Sequence, residues 1–232
     1  MANIDLRLGD CFEGLKGIPD KSIDLVVTDP PYKISTTGGG LVKGTRQKNY
    51  DNIRPIASGY DSRIIPELVR VLKRVNLYIF VSHAQLLQTL ETFTRDYDCN
   101  YTLIAWHKSN PIPTCNNTYL KDTEYCIHFR ERGVELYGDY HTKRTWYVTG
   151  VNKDKDLYKH PTIKPLQIIA NMIINSSREG DLVLDPFTGS GTTGVACMQT
   201  GRNFIGFEIN PAYYQIAQKR IEEAQCQLVT IS

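Results

Sequence analysis

The chain has 232 residues, of which 41% are hydrophobic and 22% charged, and its formal net charge is +2. These values are ordinary for one soluble α/β domain, and the near-neutral charge argues neither for nor against nucleic acid as a partner. No apolar run approaches the length of a membrane span, no signal peptide is visible, and the six cysteines form no CxxC pair. We therefore expect a cytoplasmic protein with reduced thiols, no membrane contact and no metal site.

Strands and helices are predicted to alternate along the chain. Short apolar or alternating runs predict seven strands, near residues 4–8, 23–28, 76–82, 100–107, 124–129, 181–185 and 203–208. Helical periodicity predicts helices near 62–73, 84–95, 165–177, 192–200 and 211–225, the last with Asn210 as N-cap and Pro211 in its first position. The alternation predicts a mostly parallel, doubly wound α/β sheet in a single domain over residues 1–232.

The stretch Asp29-Pro30-Pro31-Tyr32 directly follows the strand predicted for residues 23–28. The two prolines have no backbone N–H, so their carbonyl groups can only accept hydrogen bonds, and Asp29 adds a carboxylate acceptor. Tyr32 offers a flat ring for stacking. This set suits an exocyclic amino group on a planar base, although an ordinary turn that closes a strand has the same composition.

A second motif, Asp185-Pro186-Phe187-Thr188-Gly189-Ser190-Gly191, connects a predicted strand to a predicted helix. With Gly194 it fits the GxGxxG pattern of dinucleotide binding, and Glu208 follows at a spacing suited to ribose hydroxyls. A nicotinamide-dependent dehydrogenase is therefore one interpretation. Asp185 would repel a pyrophosphate but attract an ammonium group, and the Phe187 ring suits a sulfonium, so S-adenosylmethionine is the favoured cofactor.

Two long segments interrupt the alternation, residues 33–58 and residues 131–160. Loops of this length are usually functional or disordered. Both are rich in basic residues, which indicates either phosphate contacts or a solvated surface. The basic candidates for phosphate contact are Lys43, Arg46, Lys48, Lys143, Arg144 and Lys153.

Together the two motifs resemble those of the amino DNA methyltransferases, which methylate N6 of adenine or N4 of cytosine. The order, with the catalytic motif first, is similar to the permuted β group of that family. Three further stretches also match its motifs: His160-Pro161-Thr162-Ile163-Lys164-Pro165, Trp106-His107-Lys108-Ser109-Asn110-Pro111 and Leu8-Gly9-Asp10. The resemblance implies a circularly permuted, seven-stranded sheet of the class I methyltransferase type with one antiparallel strand, in which residues 29 and 185 meet across one cleft.

The resemblance also implies roles for individual residues. Asp29, Pro30, Pro31 and Tyr32 would hold a base that has left the duplex. Asp185 would bind the methionine ammonium, Glu208 the ribose and Asp10 the adenine of the cofactor. The remaining cofactor candidates are Cys11, Phe187, Gly189, Ser190, Gly191, Thr192 and Thr193, with Thr162 and Lys164 near the methionine end. The hydroxyls at 190, 192 and 193 could equally cap the following helix.

The resemblance implies double-stranded DNA as substrate and a target-recognition region at about residues 109–159, where Asn110, Asn116 and Asn117 are candidates for reading base edges. In the family, an aspartate in the first position of the catalytic motif is found mostly in enzymes whose target base is adenine. N6-adenine methylation is therefore the favoured activity and N4-cytosine methylation the alternative. RNA or protein amines remain further alternatives as substrates. A homodimer, a cognate restriction enzyme and a bacterial or phage-infected host cell are also expected.

Overall fold

The computed structural model describes residues 2–32, 59–111, 119–150 and 163–231. Eight strands are present in this part of the chain: β1 (Ile4–Leu8), β2 (Leu25–Thr28), β3 (Asn76–Val81), β4 (Asn100–Lys108), β5 (Thr123–Arg130), β6 (Trp146–Thr149), β7 (Leu182–Asp185) and β8 (Asn203–Glu208). The same part contains six α-helices: α1 (Cys11–Lys16), α2 (Ile64–Val71), α3 (His83–Glu91), α4 (Leu166–Ser176), α5 (Thr192–Thr200) and α6 (Pro211–Ile231).

All eight strands form one sheet in the order β1-β8-β7-β2-β3-β5-β4-β6. Strand β5 is antiparallel to both neighbours, β3 and β4, and every other pairing is parallel. The prediction of one antiparallel strand in a mostly parallel sheet is therefore confirmed, whereas the predicted count of seven strands is wrong. The additional strand, β6, is an edge strand of only four residues inside the polar, aromatic and basic segment, too short to be recognised as a separate strand.

The central strands have continuous apolar sequences because both faces of the sheet are covered by helices. Successive side chains of a strand point to opposite faces. Leu25 and Val27 of β2 therefore join the core formed with α4 and α5, whereas Val26 joins the core formed with α1 and α2. This arrangement confirms the predicted doubly wound architecture.

The helices mostly match their predicted positions. Helix α5 has the predicted bounds, and α6 begins as predicted, because Asn210 Oδ1 accepts the Ala212 N–H at 2.9 Å and Pro211 occupies the first position. Helix α6 continues to residue 231, beyond the predicted 225. Helix α3 gives way to a π-helical turn at Thr92–Asp96, and the six-residue helix α1 was not predicted. No helix in the described ranges is long and apolar enough to cross a membrane.

Strands β2 and β7 are parallel neighbours although they lie far apart in the sequence. Leu25 pairs with Val183 and Val26 with Leu184, so the two strands end side by side. Ligands of open α/β sheets bind at the carboxyl ends of the strands. The register therefore brings the segments that follow β2 and β7, which contain the two predicted motifs, to one place.

Candidate active site

A cavity of about 430 Å³ lies at the carboxyl ends of β2, β7 and β8. Both predicted motifs line it, together with the β1–α1 turn. The predicted residues that line this cavity are Asp10, Cys11, Asp29, Pro30, Pro31, Tyr32, Lys164, Asp185, Phe187, Gly189, Ser190, Thr192, Thr193 and Glu208. Residues 29 and 185 therefore share one pocket, as the sequence predicts.

Asp185 is almost completely buried at the end of β7. Its Oδ1 accepts the Thr28 hydroxyl at 2.9 Å and the Phe187 N–H at 3.1 Å, and its Oδ2 accepts the Thr193 hydroxyl at 2.7 Å. Burial raises the pKa of this carboxyl to about 7, although the hydrogen bonds partly oppose the shift. A cation next to Asp185 would stabilise its ionised form.

The turn between β7 and α5 is held from two sides. Gly189 and Gly191 have positive φ angles of 53° and 82°, and a Cβ on Gly191 would lie 2.9 Å from the Cα of Ala217 in α6. Glu208 fixes the turn from β8, because its Oε2 accepts the Gly189 N–H at 2.8 Å while its Oε1 accepts the Asn210 N–H at the same distance. Burial raises the pKa of Glu208.

The hydroxyls of Ser190 and Thr192, which were predicted to bind a cofactor carboxylate or cap a helix, both contact Arg220 of α6. Arg220 Nη1 donates to Ser190 Oγ at 2.9 Å, to Thr192 Oγ1 at 3.1 Å and to the Ser190 carbonyl at 2.6 Å. No sequence pattern near the motif indicates Arg220, since it lies 30 residues away from Ser190 on one turn of a long helix. This buried guanidinium places a positive charge behind the glycine-rich turn.

Asp10 and Cys11 line the cavity at the start of α1, close to Glu208, whose carbonyl accepts the Gly9 N–H at 2.9 Å. Asp10 is exposed and caps the helix, its Oδ1 accepting the Phe12 N–H at 2.7 Å. Cys11 is buried, and burial raises the pKa of its thiol to about 12, so it remains a neutral apolar wall residue.

Asp29 belongs to a partly buried chain of alternating charges, in which Lys164 is the most deeply buried member. The Lys164 ammonium contacts Asp29 Oδ2 and lies 3.2 Å from Glu124 Oε2, while Lys108 lies 2.5 Å from Glu124 Oε1. The Tyr32 hydroxyl donates to Glu124 Oε2 at 3.3 Å. Asp29 Oδ1 is buried and accepts no hydrogen bond from any residue in the described ranges.

The charged groups of this Lys–Glu–Lys–Asp set shift the pKa values of Asp29, Glu124 and Lys164. Burial raises the pKa of Asp29 even though Lys164 opposes the shift. Burial also disfavours the charge on Glu124, but Lys164 and Lys108 outweigh it and hold the pKa of Glu124 at about 2. Lys164 keeps a raised pKa because the two carboxylates outweigh its burial.

The structure pairs Lys164 with Asp29 and Glu124, contacts that the sequence did not predict. Its expected place near the methionine end of the cofactor stays a prediction. Glu124 was missed altogether. The only signal for it was a charged residue at the start of an otherwise apolar strand. Its partner Lys108 lies inside the matched stretch of residues 106–111, but nothing in the sequence indicates what it contacts.

The predicted DNA contacts are only partly within the described residues. Arg144 stacks its guanidinium 4.8 Å from the Tyr140 ring, and Lys143 donates to the Leu136 carbonyl at 3.3 Å. Asn110 follows β4. The predictions for residues 33–58, and for Lys43, Arg46, Lys48, Asn116, Asn117, Lys153 and Thr162, lie outside the described ranges.

Comparisons with known proteins identify the family of this chain. The family model described as DNA methylase, of the N6 and N4 type, matches residues 23–219. The Type II methyltransferase M2.MboI of Moraxella bovis is 28% identical over 95% of this chain and 88% of its own length. The DNA adenine methyltransferase YhdJ of Escherichia coli (strain K12) is 31% identical over 93% of this chain and 82% of its own length.

Solved structures match over nearly the whole chain. A crystal structure of an M1.HpyAVI–SAM complex has a TM-score of 0.68 and 25% identity, and the match covers 94% of this chain and 99% of that one. The cytosine-N4-specific PvuII DNA methyltransferase has a TM-score of 0.71, and the match covers 99% of this chain and 94% of that one. Its sequence identity is 18%, which shows a common fold only.

Fold and cavity together define a class I S-adenosylmethionine-dependent methyltransferase with a permuted order of motifs. The chain belongs to the DNA methylase family whose members modify N6 or N4 amino groups. This membership replaces the dehydrogenase interpretation of the glycine-rich turn.

Proposed function

We propose that this protein transfers a methyl group from S-adenosylmethionine to the exocyclic N6 of adenine in double-stranded DNA. The observation that carries the proposal is the buried oxygen Asp29 Oδ1, which accepts no hydrogen bond from the described residues and lines the same cavity as the glycine-rich turn. A buried acceptor without a donor is costly, so such an atom is suited to a donor supplied by a substrate. The DNA adenine methyltransferase YhdJ, at 31% identity, supports adenine over cytosine.

The residues around the β7–α5 turn fit the cofactor. Asp185 has a carboxyl whose ionised form an ammonium would stabilise, and Glu208 has acceptor capacity left for ribose hydroxyls after its two backbone hydrogen bonds. Phe187 lines the same wall, and the backbone at Gly189 allows close approach of a ligand. When bound, the cofactor supplies an electrophilic methyl group on a positively charged sulfur.

Asp29, Pro30 and Tyr32 would orient the base. Asp29 Oδ1 and the Pro30 carbonyl accept the two N–H bonds of the amino group, which draws its lone pair out of conjugation with the ring. Tyr32 stacks on the base, which has left the duplex. The amino group loses one proton as it gains the methyl group. Asp29 can accept that proton, because burial raises its pKa above the ordinary range.

The test is a transfer assay with labelled S-adenosylmethionine and mixed, unmethylated DNA, followed by digestion to nucleosides. We expect the label in N6-methyladenine, and its loss in the Asp29→Asn variant. Label in N4-methylcytosine would replace adenine by the alternative substrate, and absence of label from the DNA would end the DNA assignment. The assay needs no knowledge of the target sequence.

We also propose contacts between residues outside the cavity and the DNA. Lys143 and Arg144, together with the basic residues at 43, 46, 48 and 153, would hold phosphates, and Asn110, Asn116 and Asn117 would read base edges. Uniform weakening of DNA binding in Lys143→Gln, with less salt dependence, would support the phosphate role. Unchanged affinity would remove Lys143 from the interface.

We also propose a homodimer. Four large side chains, Tyr101 and Leu103 of β4 and Trp146 and Val148 of β6, are between 38% and 56% exposed. The strand register puts them on one face of the sheet. Exposed apolar patches of this kind often mark interfaces. Light scattering should give twice the mass of the chain for the wild type and the monomer mass for Trp146→Glu.

The relative M2.MboI is named a Type II methyltransferase, and we propose a cognate restriction enzyme for this protein in the cytoplasm of a bacterial or phage-infected cell. An extract of that cell should cleave unmethylated DNA and spare DNA that this protein has methylated. Equal cleavage of both substrates, or of neither, would argue for a methyltransferase that acts alone.

A further inference from the structure

We infer that Glu124 is a positioning residue of the active site: it holds Lys164 on one oxygen of Asp29 and leaves the other oxygen as the acceptor for the target amino group. This inference deepens the proposed function and rests on it. Glu124 contacts neither S-adenosylmethionine nor the target base in this arrangement. It acts through Lys164 and Tyr32.

The geometry of Lys164 carries the inference. Its side chain is only 6% exposed, and its ammonium lies between two carboxylates, in contact with Asp29 Oδ2 and 3.2 Å from Glu124 Oε2. The aromatic rings of Tyr32 and Phe80 flank it, with centroids at 5.3 Å and 4.9 Å. A lysine ammonium has three donors, so the second carboxylate decides which way the remaining donors point. Because Glu124 takes one of them, Lys164 does not cover Asp29 Oδ1.

Lys108 holds Glu124 in place from the other side, at 2.5 Å from Oε1. The four side chains form the sequence Lys108–Glu124–Lys164–Asp29, in which each charge has an opposite charge beside it. Such a chain is stable in a buried site only when every member is paired. It therefore fixes the geometry of Asp29 from strands β4 and β5, which the two motifs do not include.

Glu124 also holds the aromatic ring of the catalytic motif. The Tyr32 hydroxyl donates to Glu124 Oε2 at 3.3 Å, the same oxygen that lies near Lys164. One carboxylate thus sets the orientation of both the ring that stacks on the base and the cation that neutralises Asp29. Without it, Lys164 is free to contact both oxygens of Asp29, and the Tyr32 hydroxyl loses its contact with Glu124.

The titratable groups that face Asp29 determine how the pH dependence of kcat should change in a variant. These groups are Lys164, Glu124, Tyr32, Cys126 and Asp185. Lys164 lowers the pKa of Asp29, whereas Glu124 raises it. Removing the charge of Glu124 should therefore lower the pKa of Asp29 and move the acid limb of the kcat profile to lower pH. Removing Lys108, a cation, should move that limb to higher pH.

The test compares Glu124→Gln with the wild type in the full-length protein, with labelled S-adenosylmethionine and unmethylated DNA. We expect kcat to fall about 10- to 100-fold, with the acid limb at lower pH and cofactor affinity within about twofold of the wild type. The matched control is Glu131→Gln, which changes a carboxylate just after β5 that pairs with the exposed Arg74 outside the cavity. That control should keep the wild-type kcat and pH profile.

Three outcomes would overturn the inference: a wild-type kcat in Glu124→Gln, an unshifted acid limb, or a fall in kcat matched by an equal loss of cofactor affinity. If Glu124→Gln does not fold, Lys108→Gln decides alone, and an acid limb that does not move to higher pH counts against the inference. Absence of methyl transfer to DNA by the wild type would instead reject the proposed function, so the two failures are distinguishable.

Discussion

The Thr28 hydroxyl donates a hydrogen bond of 2.9 Å to Asp185 Oδ1, across 157 positions of the sequence. Thr28 is the last residue of the strand before the catalytic motif, and Asp185 opens the glycine-rich motif. Both side chains are buried. This hydrogen bond joins the half of the pocket that would hold the base to the half that would hold the cofactor, so a change at either residue should affect the other half.

Replacing Thr28 by valine should weaken cofactor binding. Valine has nearly the same shape but lacks the donor, and loss of a buried hydrogen bond to a charged group costs about 1.5–3 kcal/mol, or roughly 10- to 150-fold in affinity. Calorimetric titration with S-adenosylmethionine at pH 8 measures the effect. Thr28→Ser, which keeps the hydroxyl, is the control and should bind nearly as well as the wild type. Equal affinities for the two variants would deny the hydrogen bond any role in binding.

Cofactor affinity should fall as the pH drops below about 7. Burial raises the pKa of Asp185 to about 7, and only its ionised form attracts the methionine ammonium. Protonation of Asp185 below this pH therefore opposes binding, up to tenfold per pH unit at the limit. Titrations between pH 5.5 and 8.5 should show this slope in the wild type and a weak, flat dependence in Asp185→Asn. A flat wild-type profile would show that Asp185 does not face the ammonium.

Changes in the catalytic motif should separate turnover from cofactor binding. Tyr32→Ala removes a stacking ring worth about 1–3 kcal/mol per base, so DNA methylation should fall roughly 5- to 150-fold. Tyr32→Phe keeps the ring and should retain most of the rate, with a smaller loss from the missing hydrogen bond to Glu124. Calorimetry should find unchanged S-adenosylmethionine affinity in both variants. A loss of affinity equal to the loss of rate would argue against the role of Tyr32 in base binding.

Gly191→Ala should destabilise the protein, because the new Cβ would lie 2.9 Å from the Cα of Ala217 and the residue has a φ of 82°. Overpacking of this kind costs about 1–3 kcal/mol, in addition to the backbone strain. Gly180→Ala is a matched control, since its φ is 84° but nothing lies within 4 Å of the added Cβ. Thermal unfolding should therefore show a larger decrease in Tm for Gly191→Ala, and equal decreases would mean that α6 does not press on the turn.

The sequence predicted those parts of the fold that local patterns encode. Continuous apolar runs located β2, β7 and β8, and the glycine-rich turn located the start of α5. Strand β6 was missed because four residues are too few to show a strand pattern, and α1 because six residues show little periodicity. Elements this short are identified by their pairing and packing rather than by a sequence pattern.

For the candidate site, the sequence predicted the shared cavity but not the long-range contacts of its side chains. Asp29 and Asp185 follow predicted strand ends, so their shared cavity could be inferred before the structure was known. The contacts of Lys164 with Glu124 and of Arg220 with Ser190 could not, because they join segments that are distant in the sequence. A charged residue in an apolar strand indicates that a partner exists, but only the three-dimensional packing identifies it.

A crystal structure with bound S-adenosylmethionine would test most directly whether the cofactor and the target base share one pocket. Reacting atoms lie about 3–3.5 Å apart before transfer, and a hydrogen bond spans about 2.9 Å. We therefore expect the sulfonium methyl group within about 6 Å of Asp29 Oδ1, with the methionine ammonium on Asp185 and the ribose on Glu208. A cofactor whose methyl group points away from Asp29, or whose ribose lies remote from Glu208, would contradict the account.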